Sequence, residues 1–286
     1  LIPDKEWLEI RYLADVKSRN QVILRELLDR IRHLEGHINL VDLGAGIGSN
    51  FRYLHSRIEQ DQHWVFVEID EELLNYAPDY LSTKLKTEIK FNQSFEIDNR
   101  SIFLEKQLLP SLAYLKISPH PDVIVANNSF QFYSETQFGR LIENIDADLI
   151  YFTMNYNGIV FEPESEQDRK YLDLYDRYLR GYFVGDTINM GSGTGILMSD
   201  IINQFQFDVI VGKSDWELDE DEKTLQHYIL RFMEKHIPKV LPNSAEIDEF
   251  MLWVDHIQDK ITSGQLSMTI RHDDILAIRN ELLVSE

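Results

Sequence analysis

The chain has 286 residues, 33.7 kDa, with 28 Lys and Arg against 49 Asp and Glu, a net charge of −21; no stretch gathers basic residues onto one face, so a phosphate backbone would be repelled and nucleic acid is not the expected partner. There are no cysteines, which excludes disulfide and thiolate chemistry and suits a reducing, cytoplasmic setting. No apolar run approaches about 18 residues and no basic-then-apolar leader is visible, so neither a membrane span nor a signal peptide is expected, although a chain starting at Leu1 leaves a removed leader open.

Residues 4–34 read as two helices: Trp7, Ile10 and Leu13 recur at helical spacing, and Val22, Leu24, Leu27, Leu28 and Ile31 do so again. Asn39 to Leu43 then reads as a short buried strand closed by Asp42. Glycines at 44, 46 and 48 follow, where a backbone can turn sharply and approach a ligand, and a helix is expected from about Asn50 to Ile58. The spacing bears on the ligand. A dinucleotide G-x-G-x-x-G fingerprint would put its third glycine at 49, which is Ser49, whereas the observed pattern is acid-x-G-x-G-x-G.

That pattern resembles motif I of the class I S-adenosylmethionine (SAM) dependent methyltransferases, in which the glycine loop lies against the methionine part of the cofactor. The resemblance implies a Rossmann-like, seven-stranded α/β sheet with helices on both faces, SAM as cofactor and S-adenosylhomocysteine (SAH) as product. Asp42, Gly44, Gly46, Gly48 and Asn50 become cofactor-binding candidates. In this superfamily, leading helices commonly cover the cofactor mouth, which makes Lys17, Arg19 and Asn20, between the two apolar stripes, candidates to reach it; solvated charges at a helix junction are the plainer reading.

A second strand, His63 to Glu68, ends in an acid about twenty residues beyond the glycine turn, where a carboxylate can bind a ribose diol. The family's acid falls at Glu68, with Ile69 beside it and Asp70 close enough to share the role or to cap the next helix. Two candidates compete for the third strand, Ile89–Phe91 and Ser101–Glu105; the second would place Gln107 at the adenine edge. Val123–Ala126 suits a strand buried on both faces. It ends in Asn127, Asn128 and Ser129, at the crevice of an open α/β sheet, although the same triplet is also an ordinary turn sequence. A helix near 134–144 and a fifth strand, Asp148–Thr153, continue the alternation, with Asn155-Tyr156-Asn157-Gly158 turning at its tip.

Residues 159–200 read as an inserted cap. Tyr171, Leu172, Tyr175, Tyr178, Leu179 and Tyr182 form one aromatic stripe, and Met190 to Gly195 reads as a mobile loop beside the substrate or a plain connection. Phe207–Gly212 and Leu266–Ile270 read as two closing strands, the last antiparallel by resemblance, with helices near 223–236 and 245–263 between them. Ser214 to Glu222 reads as a solvated loop, and His272-Asp273-Asp274 as a strand-end cluster. Asn155–Gly158, Ser214–Leu218 and His272–Ala277 also look similar to a loosely characterised bacterial group of the superfamily.

The expected organisation is a helical segment (1–36), a SAM-binding core (37–158), a cap (159–200) and the rest of the core (201–286). The function implied is methyl transfer to a small-molecule acceptor, with Ser129, Asn155, Tyr156 and Tyr182 as substrate-binding candidates. No catalytic residue is identified, no metal constellation stands out, and the sequence does not speak to oligomeric state. A non-catalytic binding scaffold and an NAD-dependent oxidoreductase are the alternatives.

Overall fold

The computed structural model describes residues 5–108, 120–181 and 188–280. Two helices, α1 (Lys5–Ser18) and α2 (Gln21–Arg32), lead into an α/β core. It runs β1 (Ile38–Leu43), α3 (Ser49–Leu54), β2 (Gln62–Glu68), α4 (Glu71–Leu85), β3 (Gln93–Ile97), β4 (Arg100–Leu108), β5 (Val123–Asn127), α5 (Glu135–Glu143) and β6 (Leu149–Glu162). The chain continues with α6 (Glu166–Gly181), α7 (Thr194–Ile202), β7 (Phe207–Lys213), β8 (Trp216–Leu218), α8 (Lys223–His236), α9 (Ser244–Ser263) and β9 (Ser267–Arg279).

The strands form one nine-stranded sheet in the order β3-β4-β2-β1-β5-β6-β9-β7, with β8 added on β9. This corrects the expected count of seven. The surplus is the antiparallel edge strand β3, hydrogen-bonded to β4, and the three-residue β8. Strands β4, β2, β1, β5 and β6 are mutually parallel, and β9 is antiparallel to both β6 and β7, as expected for the closing strand. Strand β4 settles the competition for the third parallel strand in favour of the 101–105 stretch; Ile89–Phe91 forms no strand.

Alternation along the parallel strands builds two cores, one on each face. Leu40, Trp64, Phe66, Val123 and Tyr151 face α2, α3 and α4, whereas Val41, Val65, Ile124 and Phe152 face α5 and α7. Strand β1 is the switch point: β2 lies on one side and β5 on the other, so a crevice opens at their carboxyl ends.

A third core lies beyond the strand tips. Strands β6 and β9 overrun the sheet as a long antiparallel ribbon, and a register break between Phe152 and Asn155 marks where they leave it. The overrun packs Tyr156, Phe161, Met268 and Ile270 against β8 and the helices α6, α8 and α9, with Trp7 of α1 joining them. Of the stretch expected as a cap, α6 therefore belongs to this outer lobe, while α7 lies on the main sheet through Met198 and Ile202. The glycine stretch expected as a mobile loop is tied down. Met190 and Gly191 donate backbone bonds to Tyr133 and Gln131, Ser192 N–H donates to Asp176 at 2.8 Å, and Arg180 donates to the Ser192 carbonyl at 2.6 Å. Ser214–Glu222 is a correction too: Ser214, Trp216 and Leu218 are buried, and only the 3-10 turn Glu220–Glu222 resembles the solvated loop foreseen.

Candidate functional site

The glycine turn connects β1 to α3, which is shorter than the helix expected and begins at Ser49. Gly44, Gly46 and Gly48 all have left-handed φ, of 68°, 55° and 85°. At Gly48 a Cβ would stand 2.9 Å from Leu81 and Phe66, so the absence of a side chain lets the turn seat on the core. At Gly46 it would stand 3.2 Å from Leu8 of α1, the helix that lies across the loop.

Glu68, at the tip of β2, is buried. Its Oε2 accepts from the Gly46 N–H at 2.7 Å, and its Oε1 accepts from the N–H groups of Ile69 and Asp70 at 2.8 and 3.1 Å. The carboxylate expected to meet a ribose thus also fixes the glycine turn. Asp70 caps α4 through the N–H groups of Glu72 and Leu73, and Ile69 is exposed. Gln107 is half-buried and level with Val67, one residue short of the position opposite Glu68.

Beneath the turn, Asn50 bridges two charges. Its Nδ2 donates to Asp42 Oδ1 at 2.8 Å and its Oδ1 accepts from Arg19 Nη2 at 2.6 Å. Burial pushes the Asp42 carboxyl up to about 7, against the pull of Asn50 and Arg19, and its Oδ2 has no hydrogen-bond partner among the described residues. Arg19 does not reach across the mouth as expected. It is fully buried under the turn, its guanidinium 4.3 Å from the Tyr53 ring. Of the other two candidates on that junction, Lys17 pairs with Glu222 at 3.1 Å and Asn20 caps α2.

Across the crevice, Asn127 Nδ2 donates to Asp15 Oδ2 at 2.9 Å. Asp15 in turn holds Arg11 by two bonds of 3.0 and 3.1 Å, and Arg11 Nη2 also donates to Asn127 Oδ1 at 3.5 Å. Ser129 Oγ donates to the carbonyls of Leu43 and Asn127 at 3.2 Å, stitching the tip of β5 to that of β1. Arg11 and Asp15 were not foreseen. Their signal is in the sequence: at i and i+4 they fall on the same face of α1 as the buried Trp7, where two charges need each other. Tyr133 is a second omission. Burial and then the Glu68 charge push its phenol up to about 12, which puts it within electrostatic range of that carboxylate.

Leu8, Arg11 and Asp15 of α1, Gly44 to Ile47, Ser49, Asn50 and Asn127 together line a cleft of about 30 Å³. The remaining candidates lie further out. Asn155 is buried and donates to the carbonyls of Phe152 and Asp273, and Tyr156 is buried opposite His272. Tyr182 lies outside the described residues. His272, Asp273 and Asp274 stand mid-strand in β9 rather than at a strand end; Asp274 accepts the N–H groups of Asn20 and Met154 and so anchors both the start of α2 and the β6 bulge. Among the described residues no group of three His, Asp or Glu side chains could hold a metal ion, and no helix is long and apolar enough to cross a membrane.

No protein-family model matches the sequence, and comparison with curated proteins finds no relative. Solved structures do match. A cyclopropane-fatty-acyl-phospholipid synthase-like protein from Lactobacillus casei superposes with a TM-score of 0.54 at 12% identity, covering 96% of this chain and 94% of its own. The cyclopropane synthase MmaA2 of Mycobacterium tuberculosis gives 0.46 at 11% identity over 90% and 84%. Geranyl diphosphate C-methyltransferase from Streptomyces coelicolor, solved with Mg2+, geranyl diphosphate and SAH, gives 0.43 at 12% over 96% and 86%. With the parallel strands flanking β1, the antiparallel β9 and the glycine turn at the switch point, the chain has the fold of the class I SAM-dependent methyltransferases.

Proposed function

We propose that the chain is a SAM-dependent methyltransferase that binds SAM at the β1–β5 crevice and passes its methyl group to a small-molecule acceptor. One observation carries this reading. The left-handed glycine turn and the Asn127 tip line a single cleft at the switch point of the sheet, and the Glu68 carboxylate holds that turn through the Gly46 N–H. In this reading Gly44, Gly46 and Gly48 admit the methionine part, with Asp42 and Asn50 beneath it. Glu68 takes the ribose, and Ile69, Asp70, Gln107 and Asn128 edge the adenine side.

When bound, SAM supplies an electrophilic methyl on a sulfonium. The protein's part is to orient an acceptor in line with it and to exclude water, which by itself supplies much of a methyl transfer's rate. Helix α1 acts as the cover and the glycine turn with the tips of β2 and β5 holds the cofactor. The outer lobe of α6, β8, α8 and α9 with the overrun of β6 and β9 supplies the wall beside which Ser129, Asn155 and Tyr156 face the acceptor.

Among the described residues the cleft beneath α1 is narrow, about 30 Å³. In this reading α1 is a cover that lifts to admit SAM, and the Arg11–Asp15–Asn127 bonds are what it releases. The negative surface suits a small acceptor rather than nucleic acid.

Calorimetric titration with SAM, SAH and NAD tests the proposal. Saturable binding of SAM and SAH without NAD is expected. Tighter binding of NAD would replace the reading with an oxidoreductase, and binding of SAM without methyl transfer to any of a screen of small acceptors would leave a scaffold.

A further inference from the structure

Three stretches far apart in the chain meet at the inner edge of the outer lobe. They are Asn155–Gly158 on β6, Ser214–Leu218 leading into β8, and His272 on β9. The Ser214 N–H donates to the His272 carbonyl at 3.0 Å, the His272 N–H donates to Asp215 Oδ1 at 2.8 Å, and Tyr156 stands opposite His272 in the ladder. The rings gather accordingly: Trp216 lies 5.1 Å and Tyr156 6.3 Å from the His272 imidazole, centroid to centroid. Arg11, which lines the cofactor cleft, closes the other side, with its guanidinium 5.4 Å from the Trp216 ring.

Inside this cluster two ring nitrogens are left over. Trp216 Nε1 and His272 Nδ1 are both buried, and neither finds a hydrogen-bond partner among the described residues. A buried polar atom without a partner is costly, so two on neighbouring rings call for an occupant. Burial and then the Arg11 charge hold the imidazole down to about 3, so the ring is neutral at physiological pH. The neutral ring carries one N–H, and at Nδ1 it presents either that N–H or a lone pair.

The occupant's chemistry follows from these two atoms. An indole N–H can only donate, whereas Nδ1 of the neutral imidazole donates or accepts according to its tautomer. An ammonium offers donors alone and leaves the indole unmet; a carboxylate or phosphate offers acceptors alone and meets the imidazole in one tautomer only. Meeting both rings in either tautomer takes a group that donates and accepts. A hydroxyl does both. Arg11 is already neutralised by Asp15, so it does not call for an anion.

We propose that Trp216 and His272 form a subsite for a hydroxyl group of the methyl acceptor, in which the hydroxyl accepts from the indole and donates to the imidazole. The inference rests on the methyltransferase reading and adds the acceptor's class, an alcohol or phenol. Both residues are positioning residues, since they hold the acceptor beside Arg11 and the strand tips without handling the methyl group.

The test uses three probes that differ in head group alone, n-propanol, propionate and propylammonium, titrated into the full chain saturated with SAH. The indole 15N–1H signal of Trp216, assigned by its loss in Trp216→Phe, is the readout. Propanol should shift it saturably and the two charged probes should not. His272→Phe should weaken propanol binding about tenfold, the worth of one hydrogen bond; His272→Gln, which keeps an acceptor, should restore it to within about threefold. No saturable shift with propanol would mean that a buried water is the occupant and overturns the proposal. So would a stronger response to propionate or propylammonium, or a His272→Phe protein that binds propanol like wild type. The comparison of three probes on the unmutated chain decides even if a variant fails to fold. Failure of SAH to bind at all would instead strike the methyltransferase reading.

Discussion

Around the glycine turn, polar groups answer to one another over short distances: Glu68 to Gly46, Ile69 and Asp70, and Asn50 to Asp42 and Arg19. At the junction of β6, β8 and β9, the hydrogen bonds are spent on backbone while two ring nitrogens, on Trp216 and His272, are left unmet. In the first region these bonds fix the loop conformation before a ligand arrives, and the atoms left unmet, Asp42 Oδ2 and Arg19 Nε and Nη1, lie beneath the turn and do not line the cleft. The second is an aromatic enclosure with polar atoms waiting in it. The contrast fits a division between a cofactor side that is preorganised and an acceptor side whose last partners come with the substrate.

The largest break in this contrast should come from Glu68→Ala. It removes the acceptor for three backbone N–H groups at once, so the protein should lose roughly 2–4 kcal/mol of stability and all measurable SAH binding. Glu68→Gln keeps one side of the clasp and should lose less of both. Denaturant unfolding and calorimetry on the two variants measure this. Wild-type affinity in Glu68→Ala, with binding lost in Asp70→Ala, would assign the ribose to the other acid.

Asp42 sharpens the comparison through pH. Its folded-state carboxyl is raised to about 7, above an unfolded value near 4. The group therefore favours folding while protonated, and that contribution is lost as pH rises from about 4 to about 7. Asp42→Asn removes the buried charge, so the variant should be more stable than wild type at pH 8, by up to a few kcal/mol, and show little gain at pH 4. Thermal unfolding at the two pH values checks it. An equal difference at both would mean that the carboxyl does not titrate in this window.

Much of the first region was legible in the sequence because it is local. The acid and glycines of motif I sit within seven residues of Asp42, and a turn with left-handed backbone at Gly46 and Gly48 can be read from composition. The order of strands followed from the alternation of apolar runs. Of the second region the sequence marked Asn155 and Tyr156, and its three stretches by resemblance, but not that they meet, since its parts come from β6, the lead into β8, and β9. A sequence pattern cannot show that Ser214 and Trp216 are buried when acids surround them; read alone, they look like a solvated loop. The bulge at Met154, which carries β6 past the sheet, is likewise set by Asp274 from 120 residues away. Arg11 and Asp15 fell between the two cases, being local on α1 but meaningful only once Asn127 is beside them.

The link between the regions is α1, and loosening it should give a smaller, kinetic effect. Asp15→Asn weakens the bonds to Arg11 and Asn127, so SAH should associate about threefold to tenfold faster as the open state gains population. Stopped-flow association shows this directly. Unchanged association with weaker affinity would make Asp15 a cofactor contact rather than a latch. The smallest effect is expected at Tyr133. Tyr133→Phe removes only a hydroxyl near Glu68 and should weaken SAH by about twofold to threefold, as calorimetry will show.

Gly46→Val puts the central proposal to its most direct test. The new side chain would meet Leu8 and would have to adopt a φ of 55°, both at the point where the turn faces the cleft. SAH titrated calorimetrically into this variant and into wild type, with circular dichroism as the check on folding, should bind wild type saturably and the folded variant not at all. Equal affinity for SAH in the two proteins would contradict a cofactor site at the glycine turn.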